Sequence, residues 1–301
     1  MNGILIIDKP AGITSHDVVS RVRRILKTKS VGHTGTLDPF ATGVMAILVG
    51  QATRLAQFLD KDEKEYEAVV QFGFETDTGD LTGVRTAECG MRSEEIEARI
   101  ASIDWEEVFD SFRGEIKQTP PMFSAKKVDG KKLYELARKG ETIERKPIAI
   151  TIKKLEIATS NIPIPPSALH IRVICSAGSY IRTLAEDIGR KTGLLAHLTE
   201  LRRTRSGKFT LDQSLTIEAL EKFDKPFFPL IPMIKAVAHL PVITLSDDRV
   251  GKTVNGLSTR VVGTTFKDGE PVRMRDLKQN LIAIGFYNKA EKSIRPKVVL
   301  V

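Results

Sequence analysis

Fourteen residues constrain this chain more than any other stretch: Gly32-His33-Thr34-Gly35-Thr36-Leu37-Asp38-Pro39-Phe40-Ala41-Thr42-Gly43-Val44-Met45. Three glycines surround one carboxylate, and a proline follows it. Glycine lets backbone come close to a ligand, and proline stiffens the turn. The apolar run from Val44 to Val49 then reads as a buried strand. Asp and Pro are ordinary turn formers. Asp38 on so short a tether could equally be a nucleophile or a base, and spacing alone leaves both open.

Around this segment the periodicity predicts a mixed α/β chain. Gly3 to Ile7 is a short strand ending in a turn at Asp8-Lys9-Pro10. Ser15 is positioned to cap a helix with the stripe Val18, Val19, Val22, Ile25 and Leu26. Residues 64–75 alternate, with Tyr66, Ala68, Val70, Phe72 and Phe74 on the covered face. Helices are expected at 94–103 and 105–113, strands at 147–158 and 168–176, and a helix opening at Gly178-Ser179-Tyr180. Pro120-Pro121 bars a regular element, and a helix is expected from Lys131 to Lys139. Prolines 226, 229 and 232 mark a linker. From about residue 240 short β-like runs with Gly and Asn turns suit a small β-rich module.

The charge is uneven. Residues 61–110 hold 15 acidic and 5 basic side chains, whereas residues 111–240 hold 23 basic and 13 acidic ones. With a net charge of +8, a polyanion with a defined footprint is the partner this balance favours. Two cysteines, Cys89 and Cys175, are too few for a disulfide framework or a cysteine-based zinc site, and the five histidines are scattered. No metal is therefore expected. No apolar run has membrane-spanning length, and the N-terminus lacks a basic leader, so a cytoplasmic protein is expected.

Several segments together resemble the tRNA pseudouridine synthases of the TruB type. Ile7-Asp8-Lys9-Pro10-Ala11-Gly12-Ile13-Thr14-Ser15 looks like their first motif, and Gly32 to Met45 like the second, with the catalytic aspartate at Asp38. Lys64-Glu65-Tyr66 matches the position of their active-site tyrosine. Gln118 to Gly130, followed by Leu133-Tyr134, looks like the mobile insertion that closes over RNA. Cys175 to Leu184 matches the third motif, and Leu201-Arg202-Arg203 a segment whose leucine lines the base pocket. The tail resembles a PUA-type RNA-binding module. The resemblance implies an α+β fold with a central, largely antiparallel sheet. It implies two domains, 1–239 for catalysis (with the insertion at about 118–139) and 240–301 for RNA. It also implies isomerisation of uridine 55 in the T loop of tRNA by a monomer without an obligate protein partner.

That reaction breaks a C–N glycosidic bond, turns the base and joins the same sugar carbon to C5, so no cofactor is required. The base must first leave its stack. Tyr66 and Tyr180 are the candidate pocket aromatics, Leu201 an apolar wall, and His33, on the same loop as Asp38, a contact beside the flipped base. A cation beside Asp38 holds its pKa low, and Arg182 is the candidate because its planar fork suits a carboxylate. Tyr66 is the candidate for removing the C5 proton, directly or through water. Lys9, Lys126, Lys127, Arg202 and Arg203 are expected on RNA phosphates. The insertion is expected to be mobile without RNA, with too little apolar surface to hold itself down.

Two rivals remain at this level. One is a non-catalytic RNA-binding protein, since Gly32 to Gly35 matches the bare GXXG of KH loops. The other is a synthase that works on a guide-RNA scaffold. A phosphotransferase built on Asp8 lacks the usual second carboxylate, because position 10 is Pro10. Zinc-deaminase, P-loop and GxGxxG signatures are missing.

Overall fold

A computed structural model describes residues 1–128, 130–159, 163–223 and 228–301, with the side chains of Lys127 and Lys132 left out. Its frame is a nine-stranded sheet. Seven strands run in the order Gly3–Lys9, Thr42–Val49, Ala196–Ser206, Lys64–Phe72, Ala168–Cys175, Ile148–Ile157 and Gly114–Gln118. Neighbours are antiparallel except where Arg202 and Arg203 pair in parallel with Thr42 and Gly43. Val31–Thr34 pairs with the far end of Thr42–Val49, and Phe209–Thr210 with the end of Ala196–Ser206.

The first two strands are apolar on both faces because both faces are covered. Leu5, Ile7, Met45 and Ile47 pack under helix Ser15–Leu26. Ile4, Ile6, Val44 and Leu48 face the other way, against Ala236, Val237 and Leu240. The strand Lys64–Phe72 keeps the predicted alternation, but the expectation fails beyond it: after Gly73 a separate short strand buries Glu75 and leaves Phe74 half-buried. Tyr66, Ala68, Val70 and Phe72 join one cluster with helices Ser93–Ser102, Trp105–Asp110 and Ile181–Thr192. Thr14 rather than Ser15 caps the first long helix, through a reciprocal bond pair with Asp17. Ser15 is thereby freed for the loop described below.

Two expectations change here. The linker expected near Pro226 lies partly outside the described residues, but Phe228 onward does not hang free. Ile231 exchanges two backbone hydrogen bonds with Ile4, 2.9 and 2.7 Å long, which lays the segment along the first strand. The tail forms a five-stranded sheet from Val242–Thr244 to Ser293–Val299, with a helix at Asp247–Val254 that the β-like runs concealed. Its Leu281, Ile284, Val298 and Leu300 share one apolar cluster with Ile4, Val44 and Leu48. The tail is thus packed onto the first strands.

Arg202 and Arg203, expected on RNA phosphates, lie inside the central strand Ala196–Ser206. A strand shows successive side chains to opposite faces, so its arginines are divided among buried and half-buried positions, each with a protein partner. No helix among the described residues is long and apolar enough to cross a membrane.

Candidate active site

Asp38 lies on the loop between Val31–Thr34 and Thr42–Val49, and several polar backbone groups of that loop are held. Ser15 Oγ donates to Leu37 O at 3.0 Å and accepts from Leu37 N at 2.9 Å. Gly12 N donates to Pro39 O at 2.8 Å, and Ala41 N to Asp38 O at 3.1 Å. Lys9 is fully buried, and its Nζ donates to Ala41 O, Pro10 O and Pro39 O at 2.6, 3.0 and 3.1 Å. Gly43, at φ +103°, lies against the backbone of Arg203, where a Cβ would come within 2.2 Å of the carbonyl oxygen. Glycine is required there for both reasons.

The Asp38 carboxylate receives a forked bond from Arg182, with Nε to Oδ2 at 2.9 Å and Nη2 to Oδ1 at 3.2 Å. Arg182 is 4% exposed, in the first turn of helix Ile181–Thr192. Its Nη1 donates to Thr78 O and its Nη2 to Phe123 O, both at 2.6 Å. One guanidinium therefore joins the Asp38 loop, the turn at 78–80 and the insertion. Asp80 Oδ2 stands 3.7 Å from Arg182 Nη1, while Asp80 Oδ1 accepts Thr78 Oγ1, Thr82 N and Thr82 Oγ1. Sequence reasoning missed Asp80, although a carboxylate flanked by threonines two residues to either side is a recognisable turn-locking pattern.

A cavity of about 270 Å³ opens onto Asp38 and is lined by Tyr66, Ser124, Lys126, Tyr180, Arg182, Leu201 and Arg203 among others. About a third of the Asp38 side chain (32%) is exposed, and protein closes the rest. Burial raises its pKa, Arg182 opposes that rise, and the Asp80 charge adds to it, so the net shift is upward. The low pKa expected from the cation alone is corrected: in this enclosed place desolvation outweighs the paired charge. Tyr66, 8% exposed, is likewise raised by burial against the opposing Arg203 charge, so its phenol stays protonated. Lys64, another buried cavity residue, is lowered by burial to about 8, and its Nζ donates to Asp62 O at 2.8 Å.

The cavity thus brings together Asp38, Tyr66, Tyr180, Arg182, Leu201 and Lys126. It does not gather the other expected residues in their expected roles. Lys9 cannot reach a phosphate, because its ammonium is enclosed by three loop carbonyls; burial lowers its pKa to about 8 despite the nearby Asp38 charge. Arg203 is 1% exposed and donates to Val44 O and Gly35 O at 2.7 and 3.0 Å, so it also braces the loop. Arg202 is half-buried and forked onto Asp8, at 3.1 and 2.7 Å. His33 lies in the strand Val31–Thr34, opposite Ile47, rather than on the loop, and does not line the cavity. The Lys127 side chain lies outside the described residues.

Parts of the insertion form regular elements that its prolines did not suggest. Two short strands, Lys127–Val128 and Lys131–Lys132, pair, and a helix spans Leu133–Ala137 with Leu133 and Leu136 buried. Gln118 exchanges two hydrogen bonds with the Tyr180 backbone, at 2.7 and 2.9 Å. Apolar packing and backbone bonding thus give local structure to a segment whose prolines suggested none. Among the described residues no group of three or more His, Cys, Asp or Glu side chains could hold a metal ion.

A carboxylate gripped by a guanidinium fork at the mouth of a nucleoside-sized cavity can attack an electrophilic carbon. Comparison with known proteins agrees with that chemistry. Residues 23–181 match the TruB family pseudouridylate synthase N-terminal domain, and residues 182–225 the tRNA pseudouridylate synthase B C-terminal domain. The tRNA pseudouridine synthase B of Heliobacterium modesticaldum is 42% identical over 95% of this chain and 90% of its own length. That of Bacillus subtilis is 40% identical over 100% of this chain and 98% of its own. Among solved structures, a Cbf5-Nop10-Gar1 complex matches with a TM-score of 0.72 and 27% identity, over 99% of this chain and 85% of the other. An H/ACA RNP bound to a substrate RNA containing 2'-deoxyuridine gives 0.71 and 27%, with the same coverage. A family model spanning more than half the chain and relatives of this identity and coverage lead to one conclusion: the chain belongs to the TruB family of pseudouridylate synthases.

Proposed function

We propose that this protein isomerises uridine 55 in the T loop of tRNA to pseudouridine, with Asp38 as the nucleophile. The observation that carries the proposal is the Asp38–Arg182 fork at the mouth of the cavity. A uridine flipped from the loop enters between Tyr66, Tyr180 and Leu201 and presents its reacting atoms to Asp38. Asp38 must be ionised to attack, and Arg182 holds that charge in one orientation. Asp38 bonds to the nucleoside and the glycosidic C–N bond breaks, the base turns inside the cavity, the sugar carbon joins C5, and the bond to Asp38 is released. The C5 proton then leaves. Burial keeps the Tyr66 phenol protonated, so its hydroxyl serves to position a water that accepts this proton and passes it to solvent.

The tRNA reading is preferred to a guide-RNA enzyme because relatives named for tRNA share 40–42% of residues, against 27% for the Cbf5-containing structure. It is preferred to a non-catalytic RNA-binding protein because a binding module has no use for a braced carboxylate on a buried arginine. Division into a catalytic region up to about 239 and a PUA-type RNA-binding tail from 240 is part of the proposal, as are a monomer acting without an obligate protein partner and a cytoplasmic location. The test is Asp38→Asn with an unmodified tRNA transcript. Pseudouridine formation in single turnover is expected to vanish while RNA affinity stays within a few-fold, since phosphate contacts supply most of it. Turnover near wild type would refute the assignment.

A further inference from the structure

Ser124 stands out among the buried polar groups of the cavity. It is 5% exposed, it lines the space that opens onto Asp38, and its Oγ makes no hydrogen bond with the described residues. A buried hydroxyl left without a partner is costly, and native structures rarely keep one without a reason. Looseness of the chain is not that reason. The carbonyl before it, Phe123 O, is gripped by Arg182 at 2.6 Å. Ser124 N donates to Met122 O at 3.0 Å, and Ser124 O accepts Tyr134 N at 3.1 Å. The backbone is thus pinned on both sides, while the hydroxyl lacks a well-formed bond beside the cavity that Ser124 lines.

Across that space lies Tyr180. Burial raises the Tyr180 phenol, and a hydrogen-bond interaction with the facing Ser124 hydroxyl opposes the rise, but the contact falls short of full hydrogen-bond geometry and leaves Ser124 Oγ without a proper partner. The gap is bordered by the nucleophile's own partner, Arg182, and by an aromatic ring. A group that fills it touches the insertion, through Ser124, and the body of the protein, through Tyr180, at once.

We propose that Ser124 is a substrate-contacting residue whose hydroxyl pairs with an oxygen of the flipped uridine. This rests on the reading that the cavity receives that nucleoside. It gives the insertion a direct part in recognition, since a closed insertion completes the hydroxyl's bonding only when a uridine is present. A base oxygen and a ribose hydroxyl offer the same chemistry to a serine, and the experiment separates them.

The experiment is Ser124→Ala in the full chain, assayed by single-turnover pseudouridine formation on a T-stem-loop RNA, together with its thermal midpoint without RNA. Loss of one neutral hydrogen bond is expected to lower kcat/KM about two- to tenfold. The midpoint is expected to hold or rise, because the substitution removes an unsatisfied group without removing any bond. Repeating the assay with 2'-deoxyuridine at the target position names the partner. A deficit that disappears there assigns a ribose hydroxyl, and one that persists assigns a base oxygen. Unchanged kinetics of Ser124→Ala beside an active wild type would overturn the inference and leave the proposed function standing. A lowered midpoint that accounts for the lost activity would make Ser124 structural and overturn it too. A wild type that forms no pseudouridine would remove both.

Discussion

Replacing Arg182 by alanine and by lysine separates its charge from its shape. Arg182 serves four acceptors: both Asp38 oxygens, Thr78 O and Phe123 O. It is 4% exposed, so solvent cannot take its place. Removing one partner of a buried pair costs about 3–5 kcal/mol, because the other charge is left unpaired. If that loss falls on the attacking carboxylate, Arg182→Ala is about two to four orders of magnitude slower at neutral pH. Arg182→Lys keeps a charge but loses the fork. At about 1.5–3 kcal/mol for a hydrogen bond to a charged group, it is expected to fall about ten- to a hundredfold. The pH profile carries the second half of the argument. Asp38 reacts ionised and its pKa is already raised by burial, so activity is lost as pH falls through a value above the ordinary carboxylate range. Arg182→Ala removes the cation opposing that rise, so the acid limb must move to higher pH. In Arg182→Lys the limb must move less. Single-turnover rates on a T-stem-loop, measured from about the unperturbed carboxylate value up to mildly alkaline pH, would test both. Full activity in Arg182→Lys, or an acid limb unmoved in Arg182→Ala, would refute the reasoning.

Three further outcomes follow from the same geometry. Tyr66→Phe keeps the ring and loses the hydroxyl, so it should bind RNA normally and accumulate a late intermediate in quenched time courses; a wild-type rate would leave the ring as a stacking group only. Lys9→Met takes the side-chain donor from Ala41 O and Pro10 O, and should lower urea-unfolding stability by about 1–3 kcal/mol without altering the salt slope of RNA binding, whereas a lysine bound to phosphate would alter the slope and spare stability. The folded pKa of Lys9 lies at about 8, below the ordinary 10.5, so the unfolded chain binds more protons between those values and stability should rise with pH across that window. Lys64, also at about 8, contributes in the same sense, and Lys9→Met should flatten the rise. Truncating the tail at residue 240 would expose the cluster it shares with the first strands. Neutralising the exposed Lys289, Lys292, Arg295 and Lys297 is the cleaner test: the log–log salt slope should fall by roughly 0.7–0.9 for each RNA phosphate that is no longer neutralised, with the saturating rate unchanged. An unchanged slope would assign the tail to stability.

Much of the frame was legible in residue order, because local pattern and burial agree there. The run Val44 to Val49, the alternation from Tyr66 to Phe72 and the stripe of helix Ser15–Leu26 each report which face is covered, and each element formed within a few residues of its expected bounds. Asp38, Tyr66, Tyr180, Arg182 and Leu201 could be named from motif resemblance, and they do converge on one cavity. What the chain order could not convey is which charges are spent internally. Lys9, Arg202 and Arg203 read as cations for RNA because a formal charge carries no record of its neighbours. Only the fold brings Ala41 O to Lys9, Asp8 to Arg202 and Gly35 O to Arg203, across 32, 194 and 168 residues. The sign of the Asp38 shift was decided in the same way. Pairing with a cation can be guessed from residue types, whereas desolvation depends on how much protein closes around the carboxyl, and that is a property of tertiary structure alone.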